Sequence, residues 1–200
     1  MTILKEHRRT GWLLVALVSA ILLTTILPAA ARSANSIESA PAQGAGNCSV
    51  NWFFSTRTPS VCPAGPVVAS EAAYLEFERG IMFWYGAERA VYVLYRDWQA
   101  PYWERFPDTW LEGMAEREPS IVGPLGLWQQ PRRGFGLVWR NNPTVRARLG
   151  WALNEWEIPF VGYIQQGSTA SGPVVFFTDD DGKVYQLGDQ TGWDIFSWLG

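Results

Sequence analysis

The side chains of this chain that could do chemistry are carboxylates. Two carboxyl groups about 5–10 Å apart across a cleft suffice to hydrolyse a glycosidic bond, provided that burial raises the pKa of one of them. Six candidates lie in or beside the aromatic segments: Glu76, Glu78, Glu104, Asp108, Glu112 and Asp194. Their spacing selects no pair, so we expect a protein that is not an enzyme, with a carboxylate-based polysaccharide hydrolase as the alternative.

Histidine chemistry is excluded from most of the chain. The one histidine, His7, lies in the first 31 residues, so the remainder can build no Ser-His-Asp or Cys-His arrangement and no imidazole zinc site. Without residues 1–31, Lys+Arg falls from 16 to 13 and Asp+Glu from 19 to 18, which leaves a net charge of −5. Nucleic-acid binding calls for a basic surface and is therefore disfavoured. We expect no cofactor and no metal.

The N-terminus has the pattern of an export signal. Lys5, Arg8 and Arg9 precede an apolar stretch, 11–31, that ends in three alanines. We predict a signal peptide at 1–31; an uncleaved anchor is the alternative, because 21 largely apolar residues are long enough to span a bilayer. Residues 32–47, rich in Ser, Ala, Gly and Pro, predict a disordered linker before a single domain at 48–200. The protein is expected to be secreted or at the cell surface.

The two cysteines predict a structural disulfide. Cys48 and Cys62 are the only pair in the chain, and export would place them in an oxidising compartment. Their spacing matches neither a C-x-x-C redox motif nor a zinc site. Between them, Trp52, Phe53 and Phe54 are expected to form a hydrophobic plug held by the closed loop.

The domain carries signs of an internal duplication. Residues 81–94 align without gaps to 174–187 at a constant offset of 93, and the pseudo-repeats extend over about 74–110 and 163–198. In each copy two β-branched and aromatic runs flank a turn, which predicts a β-hairpin whose aromatic side chains are mostly core. The predicted fold is mainly β with one or two short helices, the hairpin units forming one compact domain. One helix is expected after Asn142, which precedes a proline, and should end at Gly150; another helical turn is expected near Asp108.

The run Asp179-Asp180-Asp181-Gly182 is predicted to be a hairpin turn. A calcium loop of the EF-hand type needs ligands at alternate positions and a glutamate at position twelve, where the sequence has Gln190. Consecutive aspartates before a glycine are ordinary turn chemistry.

Several motifs together resemble an exported domain of Chloroflexi-type bacteria. They are "CSVNWFFS", "FERGIMFWYGAERAVYVLY", "WERFPDTW" and "PRRGFGLVWRNNPTVRARLGWA", which cover nearly all of the chain after its N-terminal segment. This resemblance implies a surface location and no particular chemistry. "LGWA" and the hairpin around Phe77-Glu78-Arg79-Gly80 are also similar to LGFP repeats, which implies attachment to the cell wall; the second copy lacks the phenylalanine-proline pair of those repeats. In "FERG" we expect Glu78 and Arg79 to form an ion pair that orients the hairpin, and Gly150 to be the structural glycine of "RLGWA".

Tryptophan suggests what the domain does. Eleven of the twelve tryptophans follow residue 31, and an exposed indole ring offers a large apolar face on which a sugar can stack. Hence we expect a non-catalytic module that binds envelope glycan or an envelope protein; a structural subunit of an envelope assembly is a further alternative. The candidate binding residues surround the first hairpin: Trp84, Tyr92, Trp98, Trp103 and Trp110.

Overall fold

A computed structural model describes residues 48–124, 129–169, 172–188 and 192–198. The predicted signal, the linker and Gln190 lie outside these residues. The strands are β1 (Val68–Phe77), β2 (Gly80–Tyr85), β3 (Ala90–Tyr95), β4 (Trp103–Pro107), β5 (Ile158–Thr169), β6 (Gly172–Thr178), β7 (Lys183–Leu187) and β8 (Trp193–Ser197). Two helices, α1 (Arg133–Asn141) and α2 (Pro143–Leu149), lie between β4 and β5. The prediction of a mainly β domain with one or two short helices is confirmed.

One of the two predicted helical segments is a helix, and the second helix lies in a different segment. α2 begins at Pro143 after Asn142 and ends at Gly150, as the sequence predicts. The region after Asp108 contains turns and no helix as far as Pro124, and the second helix is instead α1, in the "PRRGFG" segment. Short polar residues near a proline mark a helix start weakly, and here they make turns.

The sheet consists of two antiparallel meanders joined along their first strands. The strand order is β4-β3-β2-β1-β5-β6-β7-β8, so β1–β4 and β5–β8 form two halves that meet where β1 pairs with β5. The sheet is curled. In a flat sheet β2 and β7 would lie about 19 Å apart, but the rings of Phe83 and Tyr185 approach to 4.7 Å between centroids.

The gap-free alignment of the two hairpins is wrong by one residue in their first strands. At an offset of 93, Phe83 corresponds to Phe176 and Tyr92 to Tyr185. Tyr92 and Tyr185 face the same core, but Phe83 lies in that core while Phe176 lies on the opposite face of the sheet. Since strand side chains alternate between faces, the two β-hairpins correspond only if the second turn is one residue shorter.

Three hydrophobic clusters fill the domain. The central cluster lies inside the curl and takes side chains from both halves, among them Phe83, Tyr92 and Phe177. A second cluster lies on the outer face of the first half under the helices and contains Trp139, which is fully buried. Five of the six aromatic side chains between residues 77 and 95 are at most 2% exposed, so this segment is mostly core as predicted: Phe77, Phe83, Tyr85, Tyr92 and Tyr95.

The third cluster lies on the outer face of the second half and is closed by the disulfide loop. Cys48 and Cys62 are bonded to each other. Phe54, 3% exposed, packs on this face together with Trp52 and Phe53. The buried Gln165 side chain of β5 fixes the loop by accepting a hydrogen bond from the backbone N–H of Phe53 at 3.0 Å. The disulfide and the hydrophobic plug are therefore present as predicted.

The "FERG" turn is hydrogen-bonded to the end of α2 and to Trp151 beyond it. Glu78 and Arg79 do not pair with each other, contrary to expectation. The Glu78 carboxylate accepts a hydrogen bond from the backbone N–H of Trp151 at 2.8 Å. The Arg79 guanidinium donates to two carbonyl oxygens in the last turn of α2, those of Arg148 at 2.9 Å and Ala147 at 2.6 Å. A cation at a helix C-terminus is stabilised by the helix dipole.

Two glycines permit this close approach. Gly150 has φ 76°, and a Cβ there would lie 3.0 Å from the carboxyl carbon of Glu78 and closer still to its oxygen. At Gly80 a Cβ would overlap the backbone of Leu94 on the neighbouring strand. Phe77, at the end of β1, bridges to Ala152 and is buried under the helices. The turn and the "RLGWA" segment therefore form one packed unit.

A reciprocal pair of hydrogen bonds ties the two halves together. The indole N–H of Trp103 in β4 donates to the carbonyl oxygen of Gly188 after β7, at 2.8 Å. The indole N–H of Trp193 in β8 donates to the carbonyl oxygen of Tyr95 at the end of β3, at 3.0 Å. Trp103 and Trp193 occupy matching positions in the two halves, so each half holds the other by the same contact.

Candidate binding groove

A groove of about 560 Å³ lies between the outer face of β1 and β2, the segment after β4, and the start of α1. This volume is within the usual range for small-molecule sites. Fourteen of the described residues line it: Glu71, Ala72, Ala73, Trp84, Asp108, Trp110, Arg132, Arg133, Gly134, Phe135, Glu157, Pro159, Phe160 and Val161.

Small side chains on the sheet leave room for the groove. Ala73 of β1 is directly opposite Trp84 of β2 in the ladder. A methyl side chain beside an indole leaves open space where a larger side chain would fill the face of the sheet. The helix approaches from the other side, and Gly134 in its first turn would place a Cβ only 2.6 Å from the Asp108 carboxylate. These two small residues set the width of the groove between strand and helix.

Two tryptophans, Trp84 and Trp110, line the groove. The indole nitrogens of Trp84 and Trp110 are buried, and neither has a hydrogen-bond partner among the residues that the structure describes. An indole N–H can only donate, and leaving such a group buried without an acceptor costs about 1–3 kcal/mol. Both nitrogens have less than 1 Å² of accessible surface, so a ligand in the groove would meet the rings of these two side chains and not their N–H groups.

Charged groups surround these rings in pairs. Arg133, the first residue of α1, bonds Glu157 at 2.9 Å and lies 5.8 Å above the Trp110 ring. Its backbone has φ 49°, a left-handed conformation that few non-glycine residues adopt. Asp108 accepts a hydrogen bond from the backbone N–H of Trp110 at 3.1 Å. The strained backbone at Arg133 and the bonded Asp108 hold both side chains at the wall of the groove.

One rim of the groove continues into exposed apolar surface. Trp156 is 50% exposed, and its ring stacks under the Arg132 guanidinium at 3.7 Å. Val161, which lines the groove, is 69% exposed. The groove is therefore open to solvent.

Only two of the five predicted binding residues meet in this groove, namely Trp84 and Trp110. Tyr92 is fully buried and its hydroxyl donates to Glu88, so its selection as a binding residue was wrong. The pKa of Tyr92 is raised, chiefly by burial and to a smaller extent by this hydrogen bond. Trp103 is used in the contact between the halves. Alternation of apolar residues in β3 cannot show which face is covered, which explains the error at Tyr92.

Trp98 is displayed elsewhere, on the loop between β3 and β4. It is 86% exposed and has φ 58°. The loop is held by Arg148 of α2, which forms two bonds of 2.8 Å to the Asp97 carboxylate and donates to the carbonyl oxygens of Gln99 and Pro101. These hydrogen bonds from Arg148 lower the pKa of Asp97. Trp98 is therefore held on a clamped loop, away from the groove.

The predicted carboxylates do not gather at one place. Of the six, only Asp108 lines the groove. Glu76 pairs with Arg96 at 3.1 Å and Asp194 with Arg57 at 2.6 Å. Glu78 accepts a hydrogen bond from the backbone N–H of Trp151. Glu104 accepts a hydrogen bond from the Tyr95 hydroxyl. Glu112 is exposed in the loop after β4.

Sequence reasoning missed most of the groove. Glu71, Glu157, Arg132 and Arg133 line it beside Phe160, and none was singled out for binding. The available signal was the pair of arginines before "GFG", where Arg132 and Arg133 form the start of a helix that has no capping side chain. Glu157 and Phe160 come from the other half of the domain, about 50 positions from Asp108, and their approach depends on the β1–β5 pairing.

The three aspartates form a turn, as predicted. Asp179 accepts hydrogen bonds from the backbone N–H groups of Asp181 at 3.0 Å and Lys183 at 2.8 Å. Gly182 has φ 74°, the conformation expected in a bulged hairpin turn. The three carboxylates could also approach one ion, but the hydrogen bonds account for their arrangement. Burial raises the pKa of Asp179.

Comparison with known protein families, curated proteins and solved structures finds no match for this chain. Neither helix in the part of the chain that the structure describes is long and apolar enough to cross a membrane.

Proposed function

We propose that this protein is an exported, non-catalytic module that binds a glycan of the cell envelope in the groove between β2 and α1. The observation that carries the proposal is the placement of three aromatic side chains, Trp84, Trp110 and Phe160, along one groove of about 560 Å³. A groove of this size lined by aromatic side chains and a few charged groups is typical of a ligand site.

The remaining wall chemistry suits a sugar. A sugar ring has C–H faces that stack on aromatic rings, and hydroxyl groups that both donate and accept hydrogen bonds. The groove offers aromatic surface at Trp84, Trp110 and Phe160, with the Asp108 and Glu157 carboxylates as acceptors at its edge. Its open rim accommodates a chain of several sugar units, as an envelope polysaccharide would present.

The proposed location outside the cytoplasm rests on the N-terminal sequence and the disulfide. The N-terminal pattern of residues 1–31 is that of a signal peptide, and a disulfide between Cys48 and Cys62 is compatible with an oxidising compartment outside the cytoplasm. The glycan would therefore be one of the cell surface.

A polysaccharide hydrolase is the second candidate, and one observation favours it. Asp108 lines the groove together with two further carboxylates, Glu71 and Glu157, and glycoside hydrolysis needs only a carboxylate pair. The binding module is preferred because Glu157 is tied to Arg133 at 2.9 Å. Release of reducing ends from a bound glycan, abolished by Asp108→Asn with binding retained, would establish the hydrolase instead.

Co-sedimentation with isolated cell walls and insoluble glycans tests the proposal. We expect saturable binding by the disulfide-intact protein and a loss of at least about tenfold in affinity for Trp110→Ala, because truncation removes the aromatic face on which a sugar would stack. Trp98→Ala removes an exposed tryptophan outside the groove and serves as the matched control, with binding unchanged. Retention on walls that survives digestion of the glycan would point to an envelope protein as partner.

A further inference from the structure

Trp156 is an exposed tryptophan at the rim of the groove. Its chain neighbour Glu157 lines the groove, and so does Arg132, whose guanidinium lies 3.7 Å from the centroid of the Trp156 ring. One side chain, that of Arg132, therefore joins the ring to the groove wall. Half of the residue is nevertheless open to solvent, since Trp156 is 50% exposed, whereas tryptophan is highly buried on average.

Arg132 is held against the ring by ion pairs. Its guanidinium bonds the carboxylates of Glu116 at 3.4 Å and Glu155 at 2.5 Å, and Glu155 also pairs with Arg117 at 3.0 Å. The Arg132 side chain is only 15% exposed, so water screens these contacts weakly. A cation fixed over one face of an indole ring attracts that ring and limits its motion. Arg132 thus occupies one face of the ring, and the exposed surface belongs to the opposite face and the ring edge.

We propose that the open face of Trp156 is a second stacking surface of the glycan site, which takes a sugar unit next to those held in the groove. This inference rests on the proposed glycan-binding function and deepens it, because it makes the site longer than the groove. Stacking pairs the apolar C–H face of a sugar ring with a large aromatic surface, which the indole supplies. Binding to a ring that is already held loses less conformational entropy than binding to a mobile one.

Stacking at two places has a consequence for the ligand. A stacked indole contacts C–H groups rather than one substituent, so Trp156 selects for the length of the glycan chain and not for its chemical decoration. Two surfaces that engage one chain bind it more tightly than either surface alone, since the second contact forms within the complex. A fragment too short to reach Trp156 from the groove gains nothing from it.

Fragments of cell-wall glycan strands, separated by length into disaccharides, tetrasaccharides and hexasaccharides, test the inference by titration calorimetry. We expect the wild-type protein to bind the hexasaccharide about tenfold more tightly than the disaccharide, a factor within the range of one aromatic stacking contact. Trp156→Leu keeps an apolar side chain beside Arg132 but removes the aromatic face, so it should bind all three fragments with the affinity of the disaccharide. Trp156→Tyr keeps an aromatic face and should retain most of the gain with length. Trp98→Leu is the matched control, in which the wild-type gain is unchanged.

The pattern over the three lengths separates the outcomes. An equal loss at every length in Trp156→Leu would show that Trp156 supports the groove without contacting the chain, and an undiminished gain would show that longer chains run elsewhere. Either result overturns the inference and leaves the glycan module standing, as does equal affinity of the wild-type protein for all three lengths, which needs no variant to fold. If none of the fragments binds to the folded wild-type protein, the proposed function falls with the inference. Nuclear Overhauser effects between sugar C–H protons and the Trp156 ring, expected with the hexasaccharide and not at Trp98, report the contact directly.

Discussion

Replacing Gly150 by alanine should destabilise the domain far more than the same substitution at another glycine of positive φ. Gly150 has φ 76° and ψ −147°, a region nearly restricted to glycine, and forcing alanine there costs about 1–3 kcal/mol. The added Cβ would also displace the Glu78 carboxylate, which bonds the backbone N–H of Trp151 at 2.8 Å. Loss of that charge-assisted bond adds about 1.5 kcal/mol.

Urea unfolding followed by tryptophan fluorescence measures the effect. We expect the free energy of unfolding of Gly150→Ala to fall by about 3 kcal/mol with an unchanged m-value. Gly182→Ala is the control: Gly182 has φ 74°, but a Cβ there would contact nothing within 4 Å, so only the free-energy cost of the left-handed backbone conformation remains. In a Glu78→Ala background the Gly150 substitution should be milder, because the displaced carboxylate is gone. Equal destabilisation by Gly150→Ala and Gly182→Ala would refute the view that "FERG" and "RLGWA" form one packed unit.

Three further predictions concern the parts of the fold that hold the groove in place. Replacing Cys48 and Cys62 together by serine should lower the unfolding free energy by about 3 kcal/mol, measured by urea titration, because the 14-residue loop is no longer closed; no change would show that the plug does not need the link. Asp179→Asn keeps the oxygen that accepts the turn's N–H groups and removes a charge whose burial raises the pKa of Asp179. A raised folded-state pKa means that the wild-type protein loses stability as pH rises through it, so the variant should be the more stable one at neutral pH and equal at acid pH in thermal melts. A variant that is less stable at neutral pH contradicts this. Trp103→Phe and Trp193→Phe should each cost about 1–2 kcal/mol in chemical unfolding, since each leaves one carbonyl oxygen unpaired across the halves; a large effect at one site only would contradict the reciprocal contact.

Features of the fold that depend on residues close together in the sequence could be predicted, and those that depend on contacts between distant positions could not. Hairpins, the turn at Asp179, the short helix that ends at Gly150 and the Cys48–Cys62 bond follow from local residue types, and all are found. The one-residue shift between the two hairpins was missed because apolar runs on both faces leave the register unmarked, as at Phe176. The role of Glu78 was missed because its partner lies 73 positions away.

The groove itself illustrates the same limit. Trp84 and Trp110 could be named as candidates because tryptophan is common in binding sites, but nothing local separates them from Trp103, whose indole N–H is satisfied across the domain. The charged walls come from segments that join only through the β1–β5 pairing. A single sequence carries no signal for such a pairing, so the site emerges only when the sheet is assembled.

The most direct test of glycan binding in this groove is an NMR titration that follows the indole N–H signals. Protein labelled with nitrogen-15 would be titrated with soluble cell-wall glycan fragments, and the signals of Trp84, Trp98 and Trp110 would be assigned by single Trp→Phe variants. We predict that the Trp84 and Trp110 signals shift together and saturate, because a ligand in the groove lies against both of these side chains, while the Trp98 signal stays in place. Fragments that bind and move only the Trp98 signal, or that leave all three unchanged, would contradict glycan binding in this groove.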